Sequence, residues 1–290
     1  MPRGLPSGSV ICSWTRRRCS AGSRNWRWYG VPSPGLGPST WVPEPGNWWR
    51  GSVRARVASG RTVVSVLSRR PILSLVTGRG RLPASSSRVT GLLDLVAAAV
   101  TAGVDLIQVR EPDLPDADLF ALVHRCVGLA DGSHTAVLVN DRLDIALAAR
   151  AAGVHLRGGS VAASAMRPHT PPGFLLGRSV HGAAEAAAVE SGGGMDYVTF
   201  GTVYRSQSKP GLAPHGVESL AAAVRAVSVP VLAIGGVTVD NTEEVFRAGA
   251  AGLAAIGLFA EATVVGDTDG LRHVVGAIRR SYAISHGQRE

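Results

Sequence analysis

The chain has 290 residues and a formal net charge of +9, so it is long enough for one large domain or two small ones. The charge is uneven: residues 1–70 carry twelve arginines and one acid, about +11, which leaves about −2 for residues 71–290. A nucleic-acid function for residues 71–290, argued from the overall charge, is therefore excluded.

Residues 1–70 form an extension rich in Arg, Trp, Pro and Gly that contains all six tryptophans of the chain. This stretch shows no helical or strand periodicity, which predicts a disordered segment. Its interleaved Arg and Trp residues are of a kind that binds nucleic acid or a membrane surface. We favour another interpretation, an upstream stretch translated from a wrongly chosen start, because nothing in it patterns as structure. It has no apolar region typical of a secretory signal.

Cysteine usage and hydropathy bear on the compartment. Cys12 and Cys19 lie in the extension and Cys126 lies alone on a predicted helix, so there is neither a disulfide framework nor a metal-type spacing. The longest apolar run, near residues 92–104, is interrupted by Asp94 and is too short to span a bilayer. We therefore expect a cytoplasmic protein that has no membrane partner.

From residue 71 onward, apolar runs of strand length alternate with alanine-rich helical patterns. Strands this apolar are typical of a parallel sheet that is buried on both faces. Eight such units predict a single-domain α/β protein, a (β/α)₈ TIM barrel over residues 71–290, and a doubly wound open sheet is the runner-up. The predicted strands are 72–77, 105–110, 136–140, 153–156, 174–180, 197–203, 231–234 and 253–256. The predicted helices are 91–102, 116–129, 143–151, 183–190, 217–227, 241–248 and 271–282, with the weakest at 161–167.

Polar side chains follow the second and third predicted strands, and in such a barrel chemistry collects at the C-terminal ends of the strands. Alternation points Gln108 and Arg110 the same way, so both can face the barrel mouth. Asn140 and Asp141, a neutral amide beside a carboxylate, suit a hard cation such as Mg²⁺. Asp141 could equally cap the next helix.

The residues at the ends of the fourth and sixth predicted strands differ in how well they suit a ligand-binding site. A lone histidine such as His155 is more often a packed interior residue than a ligand, and no Ser–His–Asp set with sensible spacing is present. The loop after the sixth strand carries Ser206, Ser208 and Lys209, the only lysine of the chain. Two hydroxyls and an ammonium on a loop suit a phosphate. The alternative is a solvated surface lysine on a turn.

Glycines follow the last two predicted strands, at Gly235 and Gly236 and at Gly257 after Ile256. Backbone N–H groups at glycines can approach a phosphate closely, and these two strand ends are the usual phosphate position in the fold. The sequence therefore predicts small phosphorylated substrates for the barrel and no nucleic acid.

Several of these stretches together resemble one family. The motifs GRSVH, YVTFGTVYRSQSKPG and PVLAIGGVT, with IQVREPD, LVNDRLDIAL and AGVHL upstream, resemble the thiamine phosphate synthase and TenI superfamily. The resemblance covers residues 71–260 in the right order and leaves out the extension. It implies an enzyme of thiamine biosynthesis that joins hydroxymethylpyrimidine diphosphate to thiazole phosphate and releases pyrophosphate. A homodimer is the assembly that we expect.

The resemblance also implies roles for individual residues. Arg110, Asn140 and Lys209 would hold the pyrophosphate, and Asp141 would bind Mg²⁺. Ser179 would face the reacting centre, so Ser179, Lys209 and Arg110 are the candidate catalytic residues. The other implied substrate-binding residues are Gln108, Ser206, Ser208, Gly235, Gly236, Ile256 and Gly257.

Two departures from the synthase pattern leave alternatives open. Pro112 stands where synthases have a lysine. Residues 157–160 stand where synthases have a second acidic Mg²⁺ ligand, so Mg²⁺ binding should be weak. These features favour a thiazole tautomerase, the TenI-like isomerase that acts on thiazole phosphate carboxylate. That branch carries a catalytic histidine at the position of Thr202, however. A ligand-binding relative without turnover is the third hypothesis.

Overall fold

The computed structural model of the chain describes residues 63–82, 88–207, 211–262 and 269–287. Within them, strands β1 to β8 lie parallel in one closed barrel in chain order, and β8 pairs back to β1. The predicted (β/α)₈ TIM barrel is therefore confirmed. The strands are β1 (Ile72–Val76), β2 (Leu106–Val109), β3 (Ala136–Asn140), β4 (Gly153–Leu156), β5 (Leu175–Val180), β6 (Tyr197–Gly201), β7 (Val231–Ile234) and β8 (Gly252–Ala255).

Helices follow the strands and cover the outside of the barrel. Every strand bound agrees with the sequence-based one to within two residues. The helix Gly257–Glu261 has only five residues, too few to show a helical period, and the sequence did not predict it. The helices are α1 (Arg88–Ala102), α2 (Asp116–Ala130), α3 (Leu143–Ala148), α4 (Ala163–Met166), α5 (Ala183–Ser191), α6 (Gly216–Ala226), α7 (Thr242–Arg247), α8 (Gly257–Glu261) and α9 (Asp269–Ser285).

Alternation along the strands divides the core into two parts. Outward side chains such as Leu75, Ile107 and Phe200 pack in the layer between sheet and helices. Apolar inward side chains fill the lower half of the barrel, which is the half at the N-terminal ends of the strands. The inward positions nearer the C-terminal ends are polar. The lower inward cluster consists of Val66, Ile72, Leu106, Ala136, Leu138, Leu175, Tyr197 and Leu232.

The floor of the barrel is closed by residues that precede the boundary predicted at residue 71. A 3-10 helix spans Val63–Ser68, and Val66 is 4% exposed in the lower inward cluster. Arg69 Nε lies 2.8 Å from Oδ1 of the fully buried Asp105, whose Oδ2 accepts from the backbone N–H of Leu73. The described fold therefore begins before residue 71. Residues 1–62 lie outside the described residues, so the disorder of the extension stays a prediction.

Two deletions test where the folded domain begins. Deleting residues 1–62 is expected to leave the melting temperature nearly unchanged, because that stretch has no core-forming pattern. Deleting residues 1–70 also removes Val66 from the barrel floor and Arg69 from Asp105, which keeps Arg279 as an ion-pair partner. We therefore expect a loss of about 1.5–3 kcal/mol in the free energy of unfolding, mainly from Val66. Urea denaturation of both proteins measures the difference. Equal stability of the two would show that residues 63–70 contribute nothing to the fold.

Two further observations concern the helices and the buried thiol. No helix in the described ranges combines the length and apolarity that crossing a membrane requires. Cys126 lies buried in α2 as a free thiol. Burial raises the pKa of this thiol to about 12, so Cys126 packs as a small apolar side chain and is not a reactive thiolate.

Candidate functional site

A cavity of about 570 Å³ opens at the C-terminal ends of the strands, and every strand or its following loop contributes to the wall. Parallel strands bring all these ends to one face of the barrel. The predicted residues Ser208 and Lys209 lie outside the described residues, and Asp141 is not part of the wall. The predicted site residues that line the cavity are Gln108, Arg110, Asn140, Ser179, Ser206, Gly235, Gly236, Ile256 and Gly257.

Arg110 is held at the rim by its backbone. Its N–H donates to Thr77 Oγ1 (2.9 Å), and the Thr77 hydroxyl donates to Glu111 Oε1 (2.8 Å). Glu111 is 4% exposed and also accepts from the backbone N–H of Arg79. Burial raises the pKa of Glu111, although these hydrogen bonds act against it. Alternation thus sends the Glu111 carboxylate away from the cavity, while the Arg110 side chain is exposed there.

The amides of β2 and β3 form a pair on the cavity wall. Gln108 Nε2 donates to Asn140 Oδ1 at 3.0 Å across the two neighbouring strands. Asn140 accepts this bond through its oxygen, and its two amide N–H groups can donate to a ligand. Donors of this kind suit phosphate oxygens, which only accept.

The described wall of the cavity carries more positive than negative side chains. Its arginines are Arg81, Arg110, Arg157 and Arg205, and its acid is Glu261. Arg81 donates from Nη1 to Gln207 Oε1 (2.7 Å), which joins the loop after β1 to the loop after β6. Sequence reasoning missed Arg81 and Arg205, and the available signal was their place in loops that follow strands.

The loop after β7 depends on its two glycines. Gly235 has φ +98° and Gly236 has φ +65°, which L side chains rarely adopt. A Cβ on Gly236 would lie 2.3 Å from the carbonyl oxygen of Arg205, which belongs to the loop after β6. Asn241 Nδ2 donates to the Gly236 carbonyl oxygen at 3.0 Å and orients the turn. The two loops can therefore touch only because side chains are absent here.

Asp141, the predicted metal ligand, turns toward the loop after β4. Its φ of +63° lies in the left-handed region, which Asp tolerates better than most residues. Arg157 donates from Nε (2.9 Å) and Nη2 (2.5 Å) to Asp141 Oδ2, and Ser160 Oγ donates to Oδ1. Burial would raise the pKa of Asp141, but the hydrogen bonds from Ser160 and Arg157 hold it below the usual value. The carboxylate is therefore ionised and already paired.

Ser179 is linked to a buried imidazole. His155 Nε2 lies 2.9 Å from Ser179 Oγ, and His155 Nδ1 lies 3.0 Å from Tyr197 Oη. The Tyr197 ring lies against β5 at Gly177, where a Cβ would come 2.1 Å from the ring. Burial lowers the pKa of His155 to about 4, although the Asp141 charge acts in the opposite direction. His155 is therefore buried and neutral at pH 7, and it also borders the cavity.

The buried His155 makes stability depend on pH. The unfolded chain protonates this histidine near pH 6.5 and the folded chain only near pH 4, so the free energy of unfolding should fall as the pH drops between these values. The expected contribution is on the order of 3 kcal/mol. Urea denaturation at several pH values measures it, and His155→Gln should flatten the slope. His124→Gln, on an exposed position of α2, is the control. An unchanged slope in His155→Gln would contradict the argument.

The contacts of Ser179 and Tyr197 with His155 were not visible to sequence reasoning. His155 and Tyr197 are 42 residues apart and lie on strands separated by β5. Only the register, which aligns His155 with Gly177 and Gly177 with Tyr197, brings their side chains together inside the barrel. His181 also lines the cavity unpredicted, and its Nδ1 contacts the Gly201 carbonyl oxygen.

Two comparisons of the sequence with known proteins find the same family. A family model described as thiamine monophosphate synthase matches residues 74–259, a range that contains the predicted site from Gln108 to Gly257. The thiamine-phosphate synthase of Methanoculleus marisnigri is 38% identical over 177 residues, which cover 61% of this chain and 81% of that protein. The thiamine-phosphate synthase of Roseiflexus sp. (strain RS-1) is 39% identical over 166 residues, which cover 57% of this chain and 70% of that protein.

A solved structure adds a three-dimensional match. The thiamine phosphate pyrophosphorylase from Pyrococcus furiosus superposes with a TM-score of 0.61 and 26% sequence identity. The match covers 74% of this chain and 96% of that one. The barrel therefore has the dimensions and topology of that enzyme over nearly the whole length of the solved chain.

Proposed function

The chain belongs to the thiamine monophosphate synthase family, and we propose on this premise that it is the transferase that condenses hydroxymethylpyrimidine diphosphate with thiazole phosphate. The bond from the pyrimidine methylene carbon to the diphosphate oxygen breaks, and its electron pair leaves with pyrophosphate. The lone pair of the thiazole nitrogen forms the new C–N bond, which gives thiamine phosphate. Such a reaction needs positive charge around the leaving group and little acid–base chemistry.

The excess of arginines over carboxylates on the described cavity wall carries this proposal. Arg110 has no ion-pair partner among the described residues, so its guanidinium is available to a pyrophosphate oxygen. The Asn140 amide would donate beside it. Lys209 and the hydroxyls of Ser206 and Ser208 complete the proposed pyrophosphate site on the strength of the sequence pattern.

The glycine-lined ends of β7 and β8 are the proposed site of the thiazole phosphate. Backbone N–H groups of Gly235 and Gly236 can approach an anion closely because no side chain stands in the way. The Glu261 carboxylate lies near Gly257, where a Cβ would come 2.9 Å from Oε1. Like charges repel, so we place the phosphate closer to Gly236 than to Gly257 and Ile256.

Ser179 is the proposed group that faces the reacting carbon. It lines the cavity, and its Oγ bonds to the neutral His155. A neutral imidazole orients the hydroxyl without adding a charge. The positive charge that develops on the pyrimidine methylene during departure is therefore not opposed by a nearby imidazolium.

The same family expectation includes a magnesium ion with Asp141 as its ligand. Mg²⁺ is usually held by one or two carboxylates in an octahedral shell of oxygen atoms. Both Asp141 oxygens already accept hydrogen bonds, one from Arg157 and one from Ser160, and residues 157–160 contain no second acid. The side chains present therefore do not fit a resident Mg²⁺.

For partners, we propose phosphorylated small molecules for the barrel and no nucleic acid. This follows from the family and from the charge of about −2 over residues 71–290. Cytoplasmic localisation and a homodimer stay predictions. Light scattering on the purified full chain tests the dimer.

A thiazole tautomerase is the second candidate, and one observation favours it. The His181 imidazole lines the cavity and contacts the Gly201 carbonyl oxygen, next to Thr202, where the tautomerase branch carries its histidine. Such an imidazole could move a proton on a thiazole phosphate carboxylate. The synthase remains the first candidate because the named relatives are synthases.

One assay separates these functions. The full chain is incubated with hydroxymethylpyrimidine diphosphate and thiazole phosphate, and thiamine phosphate and pyrophosphate are measured. We expect both products in equal amounts, and neither when one substrate is left out. A parallel sample with thiazole phosphate carboxylate alone tests for isomerisation. Isomerisation without any thiamine phosphate formation would overturn the synthase in favour of the tautomerase.

A further inference from the structure

Asp141 forms an ion pair with Arg157, which lies on the loop after β4 and lines the cavity. The Asp141 side chain is only 18% exposed, so its carboxylate needs a counter-charge. Arg157 supplies that charge through Nε and Nη2, while its side chain is 71% exposed and lines the cavity. Among the described residues, Arg157 Nη1 has no hydrogen-bond partner. The guanidinium thus holds Asp141 with one edge and presents free N–H groups to the cavity.

The loop that carries Arg157 is held from below by a buried arginine. Arg178 on β5 is 8% exposed and donates to the carbonyl oxygens of Gly158 (2.6 Å), Ser160 (2.7 Å) and Val161 (3.1 Å). The Ser160 hydroxyl in turn accepts from the Arg157 backbone N–H at 3.0 Å. The backbone of this loop is therefore held by Arg178 and Ser160, and it positions the Arg157 guanidinium over Asp141.

A charge count compares this arrangement with a metal site. A divalent cation held by two carboxylates has a net charge of zero and offers a positive centre to a pyrophosphate. Arg157 paired with the single carboxylate of Asp141 also has a net charge of zero and offers donors to a pyrophosphate. The charge of the site is therefore balanced without a second acid, because one guanidinium needs only one carboxylate, whereas a divalent cation needs two.

We propose that the Arg157 guanidinium takes the place of a divalent cation at Asp141 and binds the pyrophosphate group directly, so that this chain holds pyrophosphate without Mg²⁺. The inference rests on the proposed function for the identity of the anion. A planar fork with several donors suits phosphate oxygens, and Asp141 acts as a positioning residue that orients it. Ser160 shares that role through the other carboxylate oxygen.

Isothermal titration calorimetry of the full chain with inorganic pyrophosphate tests the proposal. Titrations are made in EDTA and in Mg²⁺, and we expect binding in EDTA that is no more than about threefold weaker than in Mg²⁺. Arg157→Ala should weaken binding in EDTA by about 10- to 100-fold. Arg247→Ala, an equally exposed arginine in an ion pair on α7, is the matched control and should bind as the wild type. Binding that appears only with Mg²⁺, or an Arg157→Ala protein with wild-type affinity, would overturn the proposal.

A double variant tests whether a second carboxylate in place of the guanidinium makes pyrophosphate binding depend on Mg²⁺. Arg157→Ala with Ser160→Asp removes the guanidinium and puts a second carboxylate where Ser160 now touches Asp141. This protein should bind pyrophosphate only when Mg²⁺ is present, since two adjacent carboxylates attract a hard cation and repel a bare anion. Equal binding in EDTA and in Mg²⁺ would count against the substitution of cation by guanidinium.

Product formation separates failure of this inference from failure of the proposed function. If the wild type forms thiamine phosphate in Mg²⁺ but not in EDTA, the function stands and the inference is wrong. If it forms none under either condition but binds pyrophosphate in EDTA through Arg157, the inference stands and the synthase function is wrong.

Discussion

Replacing Arg110 with alanine is expected to lower kcat/KM for thiamine phosphate formation by about 10²- to 10³-fold. The Thr77–Glu111 hydrogen bonds hold the Arg110 backbone at the rim, and its guanidinium has no ion-pair partner among the described residues. Negative charge grows on the departing pyrophosphate, so a lost cation costs more in the transition state than in the ground state. Steady-state kinetics with both substrates measure the change.

The controls for Arg110 separate catalysis from folding. Arg110 is exposed, so Arg110→Ala should change the free energy of unfolding by less than about 0.5 kcal/mol. Arg110→Lys keeps the charge without the planar fork and should recover part of the activity. Arg125→Ala removes the same charge from an exposed position of α2, away from the cavity, and should leave kcat/KM unchanged. Wild-type kinetics in Arg110→Ala would remove Arg110 from the site.

Replacing Gly236 with alanine is expected to lower the free energy of unfolding by about 2–5 kcal/mol and to abolish measurable binding of thiazole phosphate. The new Cβ would lie 2.3 Å from the Arg205 carbonyl oxygen and 2.7 Å from Tyr204 Cβ. Both belong to the loop after β6, so the two loops must move apart and the cavity wall changes shape. Urea denaturation and calorimetry with thiazole phosphate measure the two effects.

Gly132 provides the matched control for Gly236. It has φ +75°, so alanine there carries a similar conformational cost, but no atom lies within 4 Å of the new Cβ. Gly132→Ala should therefore lose only about 1 kcal/mol and keep thiazole phosphate affinity, since it lies between α2 and β3, outside the cavity. If Gly236→Ala lost no more stability than Gly132→Ala and bound thiazole phosphate as the wild type does, the close approach of the loops would contribute neither to stability nor to binding.

The sequence by itself determined the barrel and much of its rim. Runs such as Ala136–Asn140 are mostly apolar on both faces, which is typical of a parallel sheet covered by helices, and eight repeats favoured a closed barrel over an open sheet. The period of two in a strand also placed Gln108 and Arg110 on one side, and both line the cavity. Local geometry suffices for such predictions, because the direction of a side chain along one strand needs no knowledge of its neighbours.

Tertiary structure alone decided which side chains meet across strands. Asn140 and Asp141 are adjacent in sequence, yet Asn140 joins the cavity wall while Asp141 turns to Arg157. His155 reaches Tyr197 past the space that Gly177 leaves open. Arg81 meets Gln207 across 126 residues. Such contacts depend on the register between strands and on the paths of loops, which exist only once the barrel closes, so no pattern within one segment could have revealed them.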